Sequence, residues 1–255
     1  MRIYYINLDR HPERRAHMEG LLQDLDFERV AATDARDWPQ PPAGLTRFER
    51  ACLQSHRIAW ALFLKTQEPC ACFLEDDVHL ASDFAAYVNK NYWVPPDAHA
   101  VKLDTFFNLV MLDHRDISLG DRRLARLHTR HESSAGYILT RKGAAFFLMA
   151  TENPGLPIDY VLFPEEPRKQ ALHLYQMSPA IAIQDSLYAR HYGGGENFGS
   201  SIQKVDSHKP KQKGKKIIHT AKRELTRLFK QARRIPGRLH RTVILGLKAE
   251  IIPFK

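Results

Sequence analysis

The chain has 255 residues, 44% hydrophobic and 26% charged, with a formal net charge of +9. That length buries a full core in one domain with room for an appendage, and the composition excludes a disordered or fibrous chain. No run of about 18 apolar residues occurs, which argues against a transmembrane helix, and residues 1–9 lack the long apolar stretch of a secretory signal.

Read in chain order, strand and helix signals alternate. Residues 3–8 form an apolar strand, and Asp9-Arg10-His11-Pro12 then opens a helix with proline near its start. Met18, Leu21, Leu22 and Leu25 follow at helical spacing. Residues 27–32 read as a second strand, and the prolines of 38–44 as a loop. Residues 46–65 carry Cys52, Leu53, His56, Ala59, Trp60 and Phe63 along one helical stripe. A buried strand over 71–74 then runs into three consecutive acids, Glu75, Asp76 and Asp77.

Strands are expected at 100–103, 133–139, 172–175 and 180–183. Residues 105–130 read as irregular with one or two short strands. Thr140 caps a helix over 141–151, and Pro157-Ile-Asp159 starts a short one. This alternation predicts an α/β fold with a mostly parallel central sheet and a site at the carboxyl ends of its strands.

The charge is unevenly spread. Residues 209–255 hold 15 Lys and Arg against 2 acids, leaving the first 208 residues at −4. The chain therefore divides into a main globular domain over 1–200 and a basic linker with an amphipathic helical tail over 201–255. Apolar residues at helical spacing over 217–229, and a more apolar stretch over 239–252, fit an interfacial helix on an anionic membrane. Few aromatics interleave with the charges, which disfavours nucleic acid as partner. Cys52, Cys70 and Cys72 are an odd, sparse set, expected as reduced thiols in a cytoplasmic protein. Cys70-x-Cys72 has no second pair at zinc-binding spacing.

Three adjacent carboxylates repel one another unless something offsets the charge. A hard divalent cation held through oxygen, and bridging a substrate diphosphate, does so. The alternative is a solvated turn. On an extended strand Glu75 and Asp77 share a face.

Six segments in chain order, Ile6–Arg15, Ala51–His56, Phe73–Asp77, Ser134–Tyr137, Pro157–Asp159 and Gln184–Ser186, together resemble glycosyltransferase family 25, which includes lipopolysaccharide and lipooligosaccharide galactosyltransferases. Ile6-Asn-Leu-Asp-Arg10-His-Pro-Glu-Arg14-Arg15 resembles the family's first strand and helix, and Ala51-Cys-Leu-Gln-Ser55-His56 its cysteine/serine-histidine segment. Phe73-Leu-Glu75-Asp76-Asp77 resembles its acidic motif, departing from a strict aspartate-x-aspartate spelling. Ser134-Ala-Gly136-Tyr137, Pro157-Ile-Asp159 and Gln184-Asp185-Ser186 complete the set.

The resemblance implies a GT-A-type nucleotide-sugar fold and a metal-dependent, inverting transfer of a hexose, galactose by preference, from a UDP-sugar to a lipid-linked saccharide. The metal is Mn²⁺, with Mg²⁺ as substitute, held by Asp77 and Glu75 with His191 as a late ligand. Asn7, Leu8, Arg10, Arg15, Ser55, His56, Glu75, Asp76, Lys102 and Tyr137 are expected around the donor, whereas Arg14 reads as part of a solvated helix face. Asp159 is the first choice as base, with Asp104 and Asp185 as alternatives. The competing class is a catalytically inactive saccharide- or nucleotide-binding protein of the same fold. The implied location is the cytoplasmic side of a membrane, reached through the basic tail.

Overall fold

The computed structural model describes residues 1–39, 44–196, 198 and 246–255. A nine-stranded sheet crosses the molecule. In chain order the elements are β1 (Ile3–Asn7), α1 (Pro12–Leu22), β2 (Phe27–Ala31), α2 (Arg47–Leu64), β3 (Cys70–Glu75), β4 (Val78–Leu80), α3 (Phe84–Val88) and β5 (Ala100–Lys102). Then come β6 (Leu109–Leu119), β7 (Arg122–Leu127), β8 (Gly136–Thr140), α4 (Arg141–Ala150), α5 (Ile158–Leu162), β9 (Leu174–Ser178), β10 (Ala182–Gln184), α6 (Asp185–Tyr192) and β11 (Leu247–Ile251). The large sheet runs β11-β6-β7-β9-β5-β8-β3-β1-β2, and β4 pairs with β10 beside it.

Period-2 alternation in β1 and β3 builds a core on each face of the sheet. Tyr4, Ile6, Ala71 and Phe73 point to the face covered by Trp60 and Phe63 of α2 and Phe147 of α4. Ile3, Tyr5, Cys72 and Leu74 point to the other, where Met18 and Leu22 of α1 pack with Phe84 and Val88 of α3. Both faces being covered is why these strands read as continuous apolar runs. A capping box starts α2, with the Thr46 side chain accepting from the Glu49 amide and Glu49 reaching back to the Thr46 amide.

The sheet is mixed, which corrects the expectation of a mostly parallel one. β1 pairs in parallel with β2 and β3, and β5 with β9. β8, however, runs antiparallel to both β3 and β5, and β6 and β7 form an antiparallel hairpin in the stretch read as irregular. The physical reason is connection length. Only Gly120, at φ +76°, and Asp121 lie between β6 and β7, and so short a link cannot make a parallel crossover.

The C-terminal reading also changes. Residues 247–251 are not helical. They pair antiparallel with β6 and occupy the sheet edge, with Leu247 and Ile252 buried. The Thr105 hydroxyl donates to the Ile252 carbonyl at 2.7 Å. The helix expected over 217–229, and the part of 239–252 before Gly246, lie outside the described residues. Among the described residues no helix is long and apolar enough to cross a membrane.

One backbone contact locks α4 to the sheet. A Cβ on Gly143 would stand 1.9 Å from the carbonyl oxygen of His99, a group the backbone cannot swing away. Gly143→Ala is therefore expected to destabilise by about 2–4 kcal/mol, read as a lowered urea midpoint. An unchanged midpoint would show that α4 shifts freely.

Candidate functional site

Because β1 and β3 run parallel, with Ile6 opposite Glu75, their carboxyl ends open side by side. An open cleft of about 770 Å³ lies there. Its walls include Leu8, Arg10, Arg14, Thr33, Phe48, Cys52, Ser55, His56, Gln184 and the three acids. A second cleft of about 710 Å³ is lined by Glu49, Ser133, Ser134, Asp159 and Tyr160. It shares Cys52, Glu75 and Gln184 with the first. Two hollows thus meet at one carboxylate.

The three acids have separate environments. Asp76 is buried, accepting from Asn7 Nδ2 at 2.7 Å and from an Arg14 guanidinium nitrogen at 2.8 Å. Arg29 from β2 steadies Asn7 in turn, donating to its Oδ1 at 3.0 Å. Asp76 is a brace for the turn between β3 and β4. Glu75 accepts from the Ser134 hydroxyl at 2.6 Å and lies 3.6 Å from His56 Nε2. Burial pushes its carboxyl up, but His56 and the Ser134 hydrogen bond outweigh that and leave it below its ordinary value.

Asp77 has no such compensation. Its Oδ1 is buried without a hydrogen-bond partner, and Arg14 stands 3.8 Å from Oδ2. Burial, then the charge on Glu75, push its carboxyl up to about 7. An orphaned carboxylate oxygen beside a charged Glu75 is a donor set suited to a hard divalent cation, so these residues fit Mn²⁺ or Mg²⁺.

Residues 1–162 match the family described as "Glycosyltransferase family 25 (LPS biosynthesis protein)". The chain belongs to glycosyltransferase family 25. Among its relatives is lacto-N-neotetraose biosynthesis glycosyltransferase LgtB of Neisseria gonorrhoeae, 27% identical over 227 residues, covering 80% of this chain and 81% of that protein. LgtE of Neisseria meningitidis serogroup B is 25% identical over 261 residues and covers 92% of each. A solved glycosyltransferase involved in glycosylation of the major capsid of PBCV-1 covers 81% of this chain at 9% identity. Its TM-score of 0.38 is too low to add to the assignment.

In this family 25 glycosyltransferase the structure sorts the residues expected from sequence. Leu8, Arg10, Ser55, His56, Glu75, Asp76 and Asp77 line the first cleft, and Asp159 the second. Arg10 donates to Asp34 at 2.8 Å at the cleft wall. Asn7 stands behind the wall, and Tyr137 is fully buried, with its hydroxyl 2.7 Å from His56 Nδ1 and accepting from Trp60 Nε1 at 2.8 Å. Their part is to position Asp76 and His56.

Several expectations are corrected. Arg14 is the buried arginine that binds the acid cluster, whereas Arg15 is half exposed and pairs with Glu19 one turn on. Helix phase decides this, because Arg14 shares its face with Met18 and Leu22. Lys102 and Asp104 are fully buried and bind each other at 2.6 Å. They line neither cleft, which removes Lys102 as a donor contact and Asp104 as a base.

Asp185 is filled from all sides. Its Oδ1 meets His79 Nε2 at 2.8 Å and the Glu196 amide at 2.7 Å, and its Oδ2 accepts from the Phe198 amide. Burial pushes its carboxyl up, but His79 and the two amides outweigh this and hold it below its ordinary value. Asp185 is thus committed to His79 and to the Glu196 and Phe198 amides. His191 is exposed, packs against the Phe107 ring at 4.1 Å and lines neither cleft, which sets it apart from Asp77 and Glu75.

Cys52, Gln184, Ser134 and Tyr160 are site residues that sequence reasoning left without a role. Three of them fall inside or beside quoted motifs. Tyr160 had no signal beyond its place after Asp159.

Proposed function

We propose that this glycosyltransferase moves a hexose, galactose by preference, from a UDP-sugar to a saccharide hydroxyl on a lipopolysaccharide-type acceptor, with inversion, on a GT-A-type fold. The observation that carries the reading is the meeting of two clefts at Glu75, one under the acid cluster and the other holding Asp159. The first takes the donor and the second the acceptor. Mn²⁺ held by Asp77 and Glu75 would neutralise charge on the departing UDP. Arg10 is placed at the wall to meet a phosphate oxygen, and Phe48 offers an apolar surface to the base or ribose.

Asp159 lies in the second cleft, its Oδ2 accepting from Arg130 Nη2 at 3.0 Å. Arg130 also packs over the Tyr160 ring. Held in this way, the carboxylate takes the proton of the attacking hydroxyl as its oxygen closes on the anomeric carbon. Asp159→Asn is expected to lower kcat about 10²–10³-fold with UDP-sugar affinity unchanged by calorimetry. Wild-type kcat in that variant would assign the base elsewhere.

The relatives named for lacto-N-neotetraose biosynthesis support a saccharide product. The basic stretch 209–245 supports contact with an anionic cytoplasmic membrane surface, where a lipid-linked acceptor lies. The deciding experiment measures UDP release from a panel of UDP-sugars, with and without Mn²⁺ and with an oligosaccharide acceptor. Mn²⁺-dependent release from one donor supports the reading and names the sugar. No release, together with no UDP binding, favours an inactive binding protein.

A further inference from the structure

Where the two clefts meet, three side chains of different chemistry converge. Cys52 and His56 are one turn apart on α2, and Glu75 ends β3 opposite them. Their ligand atoms all lie within 4.8 Å of one another. His56 is 1% exposed, and its Nε2 is buried with no hydrogen-bond partner. Its other nitrogen, Nδ1, is tied to the Tyr137 hydroxyl, which Trp60 holds in place. A ring nitrogen anchored by an oxygen while the other is left bare is the usual arrangement of a metal-binding histidine. In the tautomer whose Nδ1 donates to the Tyr137 hydroxyl, the Nε2 lone pair is free for a metal and lies 3.6 Å from Glu75.

We propose that Cys52, His56 and Glu75 form a three-ligand Zn²⁺ site, which shares Glu75 with the hard-cation position at Asp77, and that Zn²⁺ bound there blocks glycosyl transfer. Tetrahedral coordination brings such donors to about 3.5 Å apart. Sulfur and imidazole donors select Zn²⁺ over Mn²⁺ or Mg²⁺, which favour all-oxygen sets. The Cys52 proton leaves to solvent as the zinc–sulfur bond forms. The fourth position stays open to water. Since Glu75 belongs to both clefts, its capture by Zn²⁺ removes it from the donor site and fills the space between the reacting sugars. The inhibition rests on the glycosyl-transfer reading, and the binding does not.

The test uses the full chain titrated with Zn²⁺ against a chromophoric chelator and with Co²⁺ as a spectroscopic substitute. One equivalent is expected, with a near-ultraviolet thiolate-to-Co²⁺ charge-transfer band. Cys52→Ser, nearly isosteric, should abolish the band and weaken Zn²⁺ binding at least about 100-fold, and His56→Gln should weaken it similarly. Cys70→Ser should change neither, and circular dichroism confirms that each variant is folded. Asp77→Asn should lose Mn²⁺-dependent turnover yet keep the band, which separates failure of this site from failure of the transferase reading. A Co²⁺ complex lacking the thiolate band, or Zn²⁺ affinity unaltered by Cys52→Ser, overturns the proposal.

Discussion

Asp77→Asn is expected to lower Mn²⁺-dependent UDP release by about 10²–10³-fold or more, while the metal-free protein becomes more stable. Both effects come from the same environment. Asp77 has one buried oxygen without a partner, and burial together with Glu75 pushes its carboxyl to about 7 from an ordinary 3.8. The folded chain therefore keeps a proton that the unfolded chain has released. Stability falls as pH rises from about 4 to about 7. The neutral asparagine is exempt from that loss.

Without metal the variant should melt above the wild type at pH 8, and the gap should shrink at pH 5. A shift of this size corresponds to about 4 kcal/mol at most. Adding Mn²⁺ should raise the wild-type melting temperature and not that of the variant. Near-native turnover in Asp77→Asn would refute the assignment of the acid cluster. Equal melting temperatures at pH 8 would refute the account of its strain.

Truncation after Gly199 is expected to unfold or aggregate the protein rather than release a soluble catalytic domain. Residues 247–251 belong to the sheet. β11 covers the edge of β6, and Leu247 and Ile252 are 1% and 0% exposed. Arg123 pairs with Glu250, and the Tyr192 hydroxyl donates to the Phe254 carbonyl at 2.9 Å. Burying two aliphatic side chains is worth about 3–6 kcal/mol, a large share of the roughly 5–15 kcal/mol that holds a domain together. The bared β6 edge adds a route to aggregation.

Converting the Lys and Arg of 209–241 to Gln is expected to do the opposite. It should leave the urea midpoint unchanged and lose binding to phosphatidylserine vesicles, by about 1 kcal/mol for each charge that met the surface. A truncated chain that melts like the full one would show β11 to be dispensable. Vesicle binding retained after the Gln conversion would remove the basic stretch as the membrane contact.

Much of the fold could be read from local pattern. β1, α2 and β3 were placed within a residue or two because each has an unbroken apolar signature and clear ends, such as Thr46 with Glu49. The hairpin of β6 and β7 was read only as one or two short strands in an irregular stretch. Its outer half is polar, with Asp113 through Ser118 exposed or half exposed, so no apolar run marked it and only Gly120-Asp121 signalled a turn. β11 was misread because apolar residues mixed with lysine suit a membrane helix as well as a sheet edge. The choice depended on β6, more than a hundred residues away.

The site divides in the same way. Residue types in order along the chain were enough to identify the family, the acid cluster as its centre, and Ser55, His56 and Asp159 as neighbours. Those are properties of short segments, which carry their chemistry wherever they fold. Strand alternation favoured Asp77 and Glu75 over Asp76 as metal ligands, but the sequence alone put Arg15 rather than Arg14 at the site and kept Asp104 and Asp185 as candidate bases. Each of those outcomes depends on what another segment brings. Asn7 and Arg14 satisfy Asp76, His79 and the Glu196 and Phe198 amides fill Asp185, and Lys102 closes on Asp104. Asp77 alone among the acids of its cluster keeps a bare buried oxygen. Charge and reactivity at a carboxylate are set by burial and by partners distant in sequence, and only the tertiary structure decides those.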